Sequence, residues 1–182
     1  MSILTYRELK QLVEQNVMTN VPPDQINAAS IDVTLGSTLY LEQAPRGGFD
    51  RVDLIAKEVP LLQPVTIHGY YDLAPGQFCL GATQEIFNLP NDLAAEFKLK
   101  SSAARAGLDA SLALFADPGW HGSVLTLELF NNLKYHWLRL RPGMKIGQMI
   151  FFRGEPVPDY ASYATRGHYN GDKDATPSRL IQ

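Results

Sequence analysis

The chain has 182 residues, 45% of them hydrophobic and 19% charged, with a formal net charge of −3. That length fits one domain, 1–182, able to bury roughly 70% of its unfolded surface, and the charge gives no broad basic field for nucleic acid, so any phosphate recognition must be local. Cys79 is the single cysteine, which excludes an internal disulfide and any zinc site built on two or three thiolates.

The first residues, Met1-Ser2-Ile3-Leu4-Thr5-Tyr6-Arg7, lack the apolar run of a signal peptide, and no stretch approaches the roughly 20 apolar residues of a membrane span. A cytoplasmic location away from membranes is the default expectation. Thr5-Tyr6-Arg7-Glu8 has capping-box spacing, with Leu4 and Leu9 set to staple across it. Leu9, Leu12 and Val13 follow at helical spacing, so an amphipathic helix is predicted from 6 to about 16, ended by Pro22-Pro23.

From Ile26 the pattern shifts to short strands and turns. Ile31, Val33 and Leu35 alternate with Asp32 and Thr34, and Gly36-Ser37 turns the chain before Leu39 and Leu41. Further strands are predicted over 65–71, 77–83 and 95–99, divided by Ala74-Pro75-Gly76 and Leu89-Pro90-Asn91-Asp92. Many short strands between glycine and proline turns indicate a mainly β sandwich or barrel, not alternating β-α units.

Residues 101–107 are predicted to form a short helical turn, with Ser101 as N-cap and Gly107 at the left-handed C-terminal position. Ser101 and Arg105, four apart, then share a face, and either the turn's free N–H groups receive an anion or Ser101 merely caps. Val124 to Phe130 is strand-like, with Thr126, Glu128 and Phe130 on one face and Leu125, Leu127 and Leu129 on the other. A carboxyl buried there would have a raised pKa, suited to general acid/base chemistry; the structural alternative is a solvated edge, or a pair with an arginine such as Arg105. The stretch from Tyr163 onward is polar and either frays or orders over a ligand as a lid. His121 and His168 have no partner at metal-ligand spacing and read as surface histidines.

Together these residues resemble the dCTP deaminase family of the dUTPase-like superfamily. The resemblance rests on Ile26-Asn27-Ala28-Ala29-Ser30-Ile31-Asp32-Val33-Thr34-Leu35-Gly36, on Ser101-Ser102-Ala103-Ala104-Arg105-Ala106-Gly107-Leu108, and on Asp117-Pro118-Gly119-Trp120-His121-Gly122. The Leu-Glu-x-Phe-Asn around Glu128 and Arg141-Pro142-Gly143-Met144-Lys145-Ile146-Gly147-Gln148 complete it, in the family's order.

The resemblance implies a distorted β-barrel, or β-clip, dUTPase-like fold with an N-terminal helix and short helices, assembled as a homotrimer with sites between subunits. The implied activity is zinc-independent hydrolytic deamination of dCTP to dUTP and ammonia, supplying dUTP for dUMP and dTTP synthesis. Carried over by the resemblance, Glu128 moves protons, Ser101 and the Ala113 carbonyl hold the water, and Arg105 orients Glu128. Asp117 would contact the deoxyribose and the backbone beside Thr126 the base edge. Lys100, Ser102, Gln148, His168, Tyr169 and Asp172 fall on the triphosphate side, with magnesium carried by the nucleotide and no metal held by the protein. Alternatives are a bifunctional dCTP deaminase/dUTP pyrophosphatase, a deaminase of dCMP, dCDP or a modified dCTP, a pure dUTP pyrophosphatase, and a non-catalytic nucleotide-binding trimer. The chain departs from the family pattern at Lys100, usually Arg after Gly, and at His168, usually Lys. One extra residue between Asp117 and Glu128 predicts a bulge or shifted turn near Trp120-His121-Gly122.

Overall fold

A computed structural model describes residues 2–110, 113 and 115–179. The helix Tyr6–Glu14 starts at the predicted capping box, where Thr5 N–H donates to Glu8 Oε2 at 3.0 Å. Leu4, Leu9 and Leu12 from this region are buried and join the core. No helix among the described residues is long and apolar enough to cross a membrane.

The rest is mainly antiparallel β-structure. One five-stranded sheet centres on Lys145–Arg153, which pairs with Leu93–Leu99 on one side and with Ile31–Thr34 and Ser2–Ile3 on the other. The second runs in the order Leu108–Asp109, Thr126–Asn131, Phe78–Ala82, Thr38–Glu42, Leu62–Thr66. A three-stranded sheet (His121–Ser123, Ile86–Asn88, Met18–Thr19) and the pair Leu138–Leu140 with Tyr71–Leu73 complete the fold. Leu127, Leu129 and Leu39 from one large sheet and Val33, Phe97 and Phe151 from the other belong to one continuous apolar cluster. The mainly β expectation therefore stands, as a set of packed sheets.

Two local expectations are corrected. The predicted strand over 65–71 is two strands, Leu62–Thr66 and Tyr71–Leu73, because Gly69 takes φ +88° and turns the chain between them. The alternating stretch Ile31–Thr34 is a strand as expected, and all four of its residues are buried, Asp32 and Thr34 being held by distant polar partners. Ser101 is not an N-cap; the helix is Ser101–Arg105, Lys100 precedes it, and no side chain caps it. Gly107 does take the left-handed conformation, φ +94°, just past the end of that helix. The predicted irregularity after Trp120 is also present: the pairing of His121–Ser123 with Ile86–Asn88 shifts register between His121 and Ser123, with Gly122 at φ +68°.

Gly147 marks a close approach in the central strand, opposite Val33 and Leu99. A Cβ there would lie 2.0 Å from Phe97 Cε2, and Phe97 is a buried ring with no room to yield. Gly147→Ala is accordingly expected to destabilise by ~1–3 kcal/mol through overpacking, read as a Tm several degrees below wild type.

Candidate functional site

The strand Thr126–Asn131 alternates as the sequence predicts. Leu127, Leu129 and Asn131 are buried, while Thr126, Glu128 and Phe130 are half-buried on the opposite face. Asn131 closes the strand as a clamp: its Nδ2 donates to the Leu73 and His136 carbonyls at 2.9 and 3.0 Å, and its Oδ1 accepts from Leu133 N–H at 3.0 Å. This locks the inner face, so the outer face can present Glu128 in a fixed place.

Thr126 and Glu128 line a cavity of about 430 Å³, within the range of small-molecule sites. Leu80, directly opposite Glu128 on the neighbouring strand, gives it an apolar wall together with Phe78 and Leu62. Asp117 and Trp120 enter from the loop before the bulge, and Tyr163, Tyr169, Asp172 and Thr176 from the C-terminal segment.

Two buried carboxylates show what sets Glu128 apart. Glu85, fully buried, accepts from Thr34 N–H at 2.9 Å, Thr34 Oγ1 at 2.8 Å and Gln25 Nε2 at 3.0 Å, which accounts for it as structural. Glu128 has no such set: its Oε2 is buried with no partner among the described residues. Burial raises the Glu128 pKa above the ordinary 4.5, and hydrogen bonds from its own backbone and that of Ala113 only partly oppose this. An unsatisfied acceptor facing a ligand-sized cavity is how a carboxyl is readied for proton transfer.

Because the folded state holds the Glu128 proton more tightly than the unfolded chain, the contribution of that proton to stability is complete below pH 4.5 and is lost as pH rises through the raised value. Glu128→Gln, neutral at every pH, is thus expected to unfold at a higher temperature than wild type at pH 8. That gap should close as pH falls towards 4.5, and thermal melts across the range check it.

The C-terminal segment is ordered across this cavity. Trp120 Nε1 and Ser123 Oγ donate to the Tyr169 carbonyl at 3.0 and 2.8 Å, Val124 N–H donates to the Asp172 carbonyl at 2.9 Å, and Thr176 N–H donates to Thr126 Oγ1 at 3.1 Å. Its Ala175 is buried in a cluster with Leu80, Ala82 and Val124. Of the two fates predicted for this segment, fraying does not describe 163–179. Asp172 Oδ1 accepts from Arg179 Nη2 at 2.7 Å, while its Oδ2 is buried without a partner among the described residues. His168 is exposed and does not line the cavity, though its carbonyl accepts from Arg179 Nη1.

The cavity therefore gathers Glu128, Thr126, Asp117, Ala113, Tyr169 and Asp172 from the sequence-predicted set. It does not gather Lys100, Ser101, Ser102, Arg105 or Gln148. Ser101, Ser102 and Arg105 are exposed on their short helix, and among the described residues no ion pair joins Arg105 to Glu128. Lys100 Nζ lies 2.8 Å from Asp32 Oδ1, and Gln148 Oε1 accepts from Ser30 Oγ at 2.9 Å. Within one chain the predicted residues thus form two separate groups. Sequence reasoning missed Tyr163, Trp120 and Thr176 as cavity residues. Tyr163 carries a phenol whose pKa burial raises, and the only sequence signal for it was its place at the head of the polar segment.

Comparison with known proteins points the same way. A family model described as dCTP deaminase-like matches residues 3–154. A dCTP deaminase, dUMP-forming, from Nocardioides sp. is 38% identical over 167 residues, covering 88% of this chain and 84% of its own. A protein of the same description from Thermobifida fusca is 35% identical over 184 residues, covering 97% and 92%. Among solved structures, the 2'-deoxycytidine 5'-triphosphate deaminase from Agrobacterium tumefaciens aligns with a TM-score of 0.66 at 24% identity; the match covers 84% of this chain and 48% of that one, and it speaks to the fold.

Proposed function

Because the chain belongs to the dCTP deaminase-like family, we propose that it hydrolyses the 4-amino group from the cytosine of dCTP. The observation that carries this is the Glu128 carboxyl, shielded from bulk water with one buried oxygen unpartnered at a ligand-sized cavity. As carboxylate, Glu128 takes a proton from a water molecule while the water oxygen bonds to C4. The resulting acid gives that proton to ring N3, and the carboxylate then takes the second proton from the new C4 hydroxyl and passes it to the departing amine. The C4–N bond breaks, ammonia leaves, and a carbonyl remains at C4; one water enters for each ammonia released, and the carboxylate is regenerated.

Ala113 is placed beside Glu128 to help hold that water, and Asp117 and Thr126 line the same space, suited to sugar and base. Ser101, Ser102, Arg105, Lys100 and Gln148 would reach the nucleotide from a neighbouring copy, making the working unit a homotrimer with sites between subunits. The exposure of Arg105 and the Glu128 oxygen left unpartnered among the described residues support this, since each could supply what the other needs. Among the described residues no three acidic, histidine or cysteine side chains are grouped to hold an ion. Magnesium would be carried on the phosphates, where it would offset their charge.

A second reading concerns the product. The relatives from Nocardioides sp. and Thermobifida fusca are both named dUMP-forming, which favours onward hydrolysis of dUTP to dUMP and pyrophosphate over release of dUTP. Incubation of purified protein with dCTP, dCDP, dCMP and CTP, with ammonia and nucleotide products quantified, tests both. Ammonia with dUTP supports deamination alone, ammonia with dUMP and pyrophosphate supports the bifunctional reading, and absence of ammonia from all four rejects deamination.

A further inference from the structure

The segment 26–36 takes no part in the chemistry above, yet it underlies the phosphate-side residues. Asp32, 3% exposed, sits opposite Gln148 on paired strands. Its Oδ1 accepts from Lys100 Nζ at 2.8 Å and from Asn27 Nδ2 at 2.7 Å, and its Oδ2 lies 3.5 Å from Lys145 Nζ. Burial pushes the Asp32 carboxyl up, but the hydrogen bonds from Lys100 and Asn27 and the nearby lysine charges bring it below its ordinary value. Ser30, 8% exposed, donates its hydroxyl to Gln148 Oε1 at 2.9 Å. On the other side Gln148 pairs with Lys98, and Lys100, two residues on, continues along that face of the sheet.

These contacts have a common chemical result. An amide whose oxygen is occupied by Ser30 turns its NH2 group away from Ser30, and an ammonium that gives one hydrogen to Asp32 keeps two for another acceptor. Both side chains are long and rotamer-rich, so fixing them beforehand removes an ordering cost from ligand binding. Lys100 also leads directly into the helix Ser101–Arg105, its carbonyl accepting from Ala104 N–H at 3.0 Å.

We infer that Asn27, Ser30 and Asp32 are positioning residues that fix Lys100 and Gln148 as donors to the nucleotide phosphates, and so set the preference for a triphosphate over a monophosphate. This rests on the deaminase reading above. The test is steady-state kinetics of Asp32→Asn and Ser30→Ala with dCTP, and with dCMP as substrate or, where it is not turned over, as competitive inhibitor. Asp32→Asn is expected to raise KM for dCTP roughly tenfold, with the effect falling on KM rather than kcat. It should narrow the dCTP-over-dCMP preference by the same factor, and add nothing further in a Lys100→Ala background. Ser30→Ala should act in the same direction to a smaller extent. Equal changes for dCTP and dCMP, full additivity with Lys100→Ala, or a lowered Tm with KM unchanged would each overturn it. If Asp32→Asn does not fold, Ser30→Ala decides on the same criteria. If wild type releases no ammonia, the deaminase reading fails separately; calorimetric titration with inorganic tripolyphosphate then judges the layer. Weaker binding by the variants supports it, and unchanged binding, or none by wild type, overturns it.

Discussion

Replacing Glu128 by Gln is expected to lower kcat for ammonia release by about 10²–10⁴-fold, while dCTP affinity stays within a few-fold of wild type. The substitution keeps the shape of the side chain and an oxygen that can still accept from the Ala113 backbone, so the cavity wall survives. What it removes is basicity. The group proposed to accept the proton of water and deliver it to the leaving amine is then gone, and neither of the other carboxylates at the cavity lies on the strand that presents Glu128. Asp117 and Asp172 line the cavity, but Asp172 is already paired with Arg179. Ammonia release measures the loss and calorimetric titration of dCTP the retained binding. The higher Tm expected of this variant at pH 8 separates lost chemistry from lost fold. Undiminished turnover would remove Glu128 from the mechanism.

The second large effect is expected from mixing variants. Arg105→Ala and Glu128→Gln should each be nearly inactive as pure preparations. Co-expressed, or unfolded together and refolded, they should recover activity, because a site between subunits can take Glu128 from one copy and Arg105 from the next. If assembly is random and equal, roughly a quarter of the sites carry both intact halves. The physical ground is the separation seen in one chain: Glu128 faces a cavity that Arg105 does not line, and Arg105 is exposed with no ion pair to Glu128 among the described residues. A site complete within one chain would show no recovery. Sedimentation or light scattering, run alongside, reads the assembly state directly.

How far the sequence could be read depended on the range of the interaction. The capping box at Thr5–Glu8 and the alternation along Thr126–Asn131 are local patterns, and both appear where expected. The bulge at His121–Ser123 was signalled by one surplus residue against the family pattern, which this short edge strand takes up as a register shift against Ile86–Asn88. By contrast, the alternation over 31–35 carries no sign that Asp32 and Thr34 are buried. Their partners Lys100 and Glu85 lie far along the chain, and burial of a polar side chain depends on such partners rather than on its neighbours in sequence. The C-terminal segment was opaque for a related reason. It docks largely through backbone carbonyls of Tyr169 and Asp172, which every residue type carries, so its polar composition gave no sign of order. Glu128 itself was legible as a candidate, but only the surrounding walls distinguish it from Glu85, a carboxylate that sequence reading passed over.

The docking of the C-terminal segment on Trp120 has an optical consequence. The protein contains two tryptophans: Trp120 is 5% exposed, stacked on Phe87 and hydrogen-bonded to the Tyr169 carbonyl, whereas Trp137 is 64% exposed. Emission from Trp120 is thus blue-shifted and shielded from acrylamide for as long as the segment stays down, against a steady, quenchable background from Trp137. Any lifting of the segment would be visible as a red shift without an attached dye, and a Trp137→Phe variant would leave that signal alone in the spectrum.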